Sequence, residues 1–336
     1  NILLSDVESE TGFSVGSSLS SRSVTFGGDS AKGGDISLIS YSGAISLIRA
    51  TETGFLFLSG LSSNSLSATG LYSEPGTYSN NSGPGGNISL ISHSGNISVE
   101  KYEQFDSGSA SVSGSGSSAG HILLRTDSGS ISLSTLSLLS GSYSSLSSED
   151  APSVQGISLI SGSGDISLTD VYPSSSTVSG SGNAKDGGDI LFKTGSGNIS
   201  LTNSAINSTS SAGSGTAGQG GNISLISDSG NIFLSNYSEL NSSSTSYSGN
   251  AGRGGDISLA TPNGDIINSN SFLYSFALAQ DSSQRSGDGG AVSLTAKNLI
   301  NNLEIFTQTS TGTAGTVTML GTGDLTLSHL QISTSQ

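Results

Sequence analysis

Cleavage of a glycosidic bond needs two carboxylates facing one substrate, with a basic or polar group to orient it. Asp165, Asp170 and Asp189 are the acids whose spacing comes nearest to this pattern. Asp165 and Asp189 fall at different points of the repeat described below, however, and no Lys or Arg recurs with them. His93, His121 and His329 occupy non-equivalent positions and read as solvated or capping residues. The absence of Cys excludes a thiolate nucleophile, a disulfide framework and every Cys-based metal site. The run GSGTAGQGG at 213–221 resembles a phosphate loop but lacks the Gly-Lys-Ser/Thr ending and a following helix. The expectation is a protein that is not an enzyme and has no cofactor. Calcium is the one cation that so acidic a chain invites, yet the tandem nonapeptide of calcium solenoids is not reproduced.

What the chain has in quantity is Ser and Gly. Of 336 residues, 82 are Ser and 48 Gly, and Lys+Arg 10 against Asp+Glu 25 leaves a net charge of -15. A nucleic-acid surface is not expected, because phosphate binding needs clustered Lys and Arg. No apolar run approaches the roughly 18 residues of a membrane-spanning helix, so membrane insertion is not expected. Gly, Ser and acidic excess also mark disordered chains. Here, though, the 32% of hydrophobic residues are ordered in the sequence, as Ile/Leu pairs alternating with Ser. Alternation with period 2 is the mark of a strand, and the Gly and Ser between the pairs mark turns.

The pairs recur. GGNISLISDSGNIFL from Gly220 is repeated as GGDISLISYSGAISL from Gly33 and GGNISLISHSGNISV from Gly85, with looser copies along the rest. The first apolar residue of each copy falls at Ile2, Ile36, Ile88, Ile122, Ile157, Ile190, Ile223, Ile257, Val292 and Val317. A second apolar pair follows nine residues later, as Ile45 follows Ile36 and Ile232 follows Ile223. Repetition at a nearly fixed period predicts a solenoid rather than a set of domains. The expected fold is all-β: a single parallel β-helix over 1–336, with about ten three-sided coils of about 34 residues. One long interval places an insertion at about 55–83. At about 4.8 Å per coil, the rod would be on the order of 50 Å long.

Alternation also assigns faces. In ISLIS the first and third residues point inward. The fourth position holds Ile39, Ile91, Arg125, Ile160, Lys193 and Ile226, and its charges require it to face out. Ile39, Ile91, Ile160 and Ile226 would then form an apolar stripe, either covered by the variable loops or used as a lateral contact. Asx residues recur before both strands, where their side chains can cap turns. Aromatic residues gather in the variable third of the repeat, and Phe272, Tyr274 and Phe276 share one face of a strand. They would serve either as core for a third side or as a surface that docks glycans or another partner.

The motif GGNISLIS-x-SGNISL, followed by a Ser/Thr/Gly-rich stretch, resembles the filamentous-haemagglutinin-like exoproteins of two-partner secretion, especially the cyanobacterial type. The resemblance extends over essentially the whole chain. It implies a right-handed parallel β-helix, secreted to the bacterial cell surface or beyond, with a structural or adhesive role. The N-terminal secretion domain of that family and a signal peptide are not in this sequence. Without caps near Asn1 and Gln336, the end coils would present open strand edges. These either continue in a longer chain or stack end to end with other copies.

Overall fold

The structure, a computed structural model, describes residues 33–48, 82–101, 104–111, 115–144 and 150–334, together with short strands at lower residue numbers. Among the described residues there is no helix, and the chain winds as a parallel β-solenoid. Each coil has four strand segments. The first side comprises Ile36–Ser40, Ile88–Ser92, Ile122–Thr126, Ile157–Ser161, Ile190–Thr194 and Ile223–Ser227. It continues through the beginnings of Ile257–Ser269 and Val292–Phe306 to Val317–Gly321. Neighbouring first-side strands pair parallel and in register, so that Ile88 opposes both Ile36 and Ile122. The second and third sides follow the same rule, and all three join in one sheet of 23 strands that wraps the corners. The fourth side is a separate eight-stranded parallel sheet that includes Ser142–Ser144, Thr177–Ser179, Ser210–Ala212 and Ser244–Ser246.

Four expectations need correction. The regular body is six coils of 33 to 35 residues between Ile88 and Ala291, flanked by incomplete or shorter coils, rather than ten equal coils. Ile2 belongs to the second side, because it pairs with Ile45 and not with Ile36. The coil has four strand segments rather than three, since part of the Ser-rich stretch is the fourth strand. The segment 55–83 is also not wholly an insertion: Gly60–Ser62 and Ser65–Ala68 pair with the regular strands Gln104–Asp106 and Ser109–Ser111.

The fourth strand was not legible as a strand because its inward residues are hydroxyl-bearing. The core over the first three sides is apolar: Ile223, Leu225, Ile232, Leu234 and Leu240 of one coil are all fully buried. The fourth side instead buries Ser210, Ser244 and Ser246. Ser210 Oγ donates to Lys185 O at 2.8 Å, Ser244 Oγ to Gly218 O at 2.6 Å, and Ser246 Oγ to Gly215 O at 2.8 Å. A hydroxyl is tolerated inside when it has a partner. Another buried column, Ser208, Ser242 and Ser275, donates to the carbonyls of Gly188, Gly221 and Gly255. This brings the third-to-fourth corner against the Gly pair that precedes the first side. A side chain on that Gly would occupy the space of the serine hydroxyl.

Polar residues of the turns bind coil to coil. At the end of the first side, Ser227 Oγ accepts from Gly230 N at 2.8 Å in its own turn and donates to Gly197 O at 2.8 Å in the neighbouring coil. Thr194 makes the same two bonds, at 3.1 and 2.8 Å. Ser227→Ala leaves a buried donor and acceptor without their partner, at a cost of about 2 kcal/mol. Ser227→Thr is expected to be neutral, since Thr126, Thr194 and Thr261 hold equivalent positions. Urea unfolding followed by circular dichroism checks both.

The Asx columns work in the same direction. Asp189 Oδ1 accepts from Asn222 N at 2.8 Å, Asn222 Oδ1 from Asp256 N at 3.0 Å, and Asp256 Oδ1 from Ala291 N at 2.8 Å. In the second column, Asp165, Asn198 and Asn231 accept from the backbone N–H of Asn198, Asn231 and Asp265. The side chain of one coil thus caps the backbone of the next. The first column breaks at Gly156, whose φ of +104° is a conformation that L side chains rarely adopt. Between the second and third sides, Lys101, Thr135, Asp170, Asn203, Asn236 and Asn270 all take a left-handed conformation, with φ between 47° and 57°. Asn and Asp adopt it more readily than most residues.

Candidate functional site

The structure separates the two candidate surfaces. Ile39, Ile91, Ile160 and Ile226 lie outward on the first side, in one column with Arg125 and Lys193. Ile39 is 44% exposed and the other three are half-buried. The two cations interrupt the stripe and divide it into the pair Ile39 and Ile91 and the single residues Ile160 and Ile226. Phe272 and Tyr274 lie outward on the third side, and Phe276 stands at the adjoining corner. All three are half-buried rather than core. Phe105, from the same aromatic-rich part of the repeat, is core and fully buried. Other aromatics of that part, Phe55, Phe57, Tyr72, Tyr78 and Tyr102, lie outside the described residues.

The aromatic residues form a connected group. Phe272 and Tyr274 are nearly parallel, with centroids 6.0 Å apart, and Tyr237 joins Phe272 at 6.4 Å. Tyr274 stacks on Phe306 of the next coil at 5.0 Å and meets Phe276 edge-on at 6.3 Å. Phe306 was missed in the sequence, although it stands 32 residues after Tyr274, close to the repeat period. Glu239 and Glu304 flank Phe272 in the same column. Burial pushes the Glu239 carboxyl above the usual carboxylate range, against a weaker opposing hydrogen bond from Asn241. Burial and then the charges of Glu239 and Glu304 push the Tyr274 phenol upward.

Tyr274 is one member of a longer column. The outward third-side residues run Asp106, Leu139, Ser174, Asn207, Asn241, Tyr274 and Phe306, each opposite the next. Across the corner, the fourth side presents Ala110, Tyr143, Val178, Ser211, Thr245 and Leu278. Between the two columns, at Gly108, Gly141 and Ser176, lies an open groove of about 470 Å³, with Leu139, Tyr143 and Val178 along its walls. Glycine at two successive corner positions leaves room there. Hydroxyls line its far end: Ser174 and Ser176 Oγ are 3.1 Å apart, and Thr209 Oγ1 of the next coil donates to Ser176 Oγ at 3.0 Å. Farther on, Ser243 Oγ donates to Asn241 Oδ1 at 2.6 Å, which holds the amide in place. A second opening, of about 340 Å³, lies beside the aromatic group between Tyr237, Asn302, Glu304 and His329.

The carboxylates considered for acid–base chemistry stay apart. Asp165 and Asp189 belong to the two Asx columns, and Asp170 occupies the left-handed corner, where Asn203 Nδ2 donates to it at 2.5 Å. Each binds a neighbouring coil. His93 stacks on Tyr41 at 5.1 Å and bonds Asp127 at 2.7 Å, in a surface turn on a different side of the coil from the groove. Hydrogen bonds from His93 and then Arg125 hold the Asp127 carboxyl below its usual range. Comparison with protein-family models, curated proteins and solved structures gives no match to this chain.

Proposed function

We propose that the chain is a structural rod, a β-solenoid segment of an extracellular surface fibre or matrix. The observation that supports this reading best is the direction of its polar bonds. Turn hydroxyls and Asx side chains link one coil to the next, as Ser227 and Asn198 do, while buried serines such as Ser244 brace each coil across its interior. Strand pairing on four sides adds backbone bonds in the same direction. Such a repeat couples nearest neighbours along one axis and forms a stiff rod of programmable length. Parallel edges of this kind pair with further coils, so end-to-end association of copies belongs to the same reading. Secretion and a place among filamentous-haemagglutinin-like exoproteins are part of the proposal, on the strength of the repeat GGNISLIS.

A second reading, an adhesin module that holds glycans, is favoured by the aromatic and hydroxyl-lined corner. Two measurements test the first reading together. Purified chain is imaged by negative-stain electron microscopy, and the cells that produce it are labelled with antibody. Straight rods, with label on the outside of intact cells, are expected. Compact globular particles would overturn the rod, and label confined to the cell interior would overturn the extracellular role.

A further inference from the structure

We infer that the corner between the third and fourth sides binds an extended, uncharged polysaccharide lying parallel to the rod. This rests on the second reading above and names the class of glycan that surface holds, whereas the scaffold reading is tested separately by microscopy. The first observation is shape. The groove is open, runs across successive coils, and offers equivalent positions about every 4.8 Å, a spacing close to one sugar ring of an extended glycan. A polymer with a short repeat can use such a surface, whereas a single compact ligand fills only one part of it.

The second observation is chemistry. Tyr143, 45% exposed, stands in the wall of the groove with Leu139 and Val178. Aromatic rings pack against the C–H faces of pyranose rings and give orientation as well as contact area. Beside it the linked hydroxyls of Ser174, Ser176 and Thr209 both donate and accept. Sugar hydroxyls need both. A β-strand partner would instead need an unpaired strand edge, and the strands flanking this groove are paired on both sides within the coil stack.

The third observation is charge. Asp106 stands at one end of the third-side column and Glu304 beside the other. On a chain of net charge -15 these acids oppose a polyanion such as a sulfated or uronic-acid glycan. The occupant is therefore placed among neutral glycans.

Affinity electrophoresis of the full chain tests this, with mixed-linkage β-glucan, xylan, dextran or heparin in the gel. The variants are Tyr143→Ala, Leu139→Ala and, as a control, Tyr41→Ala, which removes an exposed ring 75% accessible on another side of the coil. At least one neutral polymer should retard the native chain, and heparin should not. Each groove variant should lose about tenfold in apparent affinity, while Tyr41→Ala binds as the native chain does. Circular dichroism melts of all three variants are read alongside, and a groove variant that melts early is replaced by Val178→Ser, judged by the same loss. Absence of retardation by every neutral polymer, equal loss in Tyr41→Ala, or a preference for heparin would each overturn the inference.

Discussion

Leu225→Asp is expected to abolish the cooperative thermal transition of the rod, whereas Ser224→Asp should leave it within about 0.5 kcal/mol of the native chain. The two residues are adjacent and face opposite sides of the sheet. Leu225 is fully buried and stacked between Phe192 and Leu259, all three in register. Truncation of a buried leucine alone costs about 2–5 kcal/mol. An aspartate there also loses its hydration with no partner in an apolar column, so it adds several kcal/mol more. The sum approaches the whole stability of an ordinary domain, roughly 5–15 kcal/mol. Ser224 faces outward, half-exposed, between Leu191 and Ser258. Circular dichroism melts of the two variants decide the matter. Equal destabilisation would mean that the inward and outward faces are wrongly assigned.

Gly221→Ala gives the second large effect although it adds a single methyl group. The added carbon would lie 2.6 Å from Gly188 O and 2.7 Å from Gly187 O, and would overlap the Ser208 hydroxyl. Two of these neighbours are backbone carbonyls. Ser208 is itself tied to Gly188 O at 2.5 Å, so no flexible side chain can move aside without breaking the corner. The coil must open where the first side meets the Ser column, at a cost of about 3 kcal/mol. Gly321→Ala is the control. Its nearest neighbour would be Lys297 O at 3.6 Å, an ordinary contact, and the change should be neutral or slightly stabilising. Urea midpoints of the two variants are the readout. Equal midpoints would show that the Gly pair is not held by close approach.

These two variants also show why half of the coil was legible in the sequence and half was not. Leu225 sits in an alternating Ile/Leu strand, and hydrophobic periodicity reports such strands directly. The constant nine-residue step from Ile223 to Ile232 fixed the first corner in the same way. The fourth side has no such signal, because its inward residues are Ser and Thr whose partners are carbonyls some 20 to 30 residues away. A serine facing inward and a serine in a loop look alike until those partners are known. Ile2 was placed on the wrong side for a related reason: ILLS fits the first-side and second-side patterns equally, and only its pairing with Ile45–Ile48 separates them. The aromatic group was half visible. Phe272, Tyr274 and Phe276 alternate within one strand region, but the third-side column that adds Phe306 and leads back to Leu139 exists only between coils.

The in-register stack of coils underlies both the rod and its groove, and one distance reports it directly. Ser89 and Ser293 occupy the same outward position of the first side, joined through Leu123, Ser158, Leu191, Ser224 and Ser258. The chain contains no cysteine, so Ser89→Cys and Ser293→Cys can be spin-labelled without background. The labels are six rungs apart, and pulsed dipolar spectroscopy should give a single narrow distance of about 29 Å, falling to about 19 Å for a Ser158/Ser293 pair four rungs apart. A broad distribution, or a distance that does not change with the number of rungs between the labels, would contradict the stack.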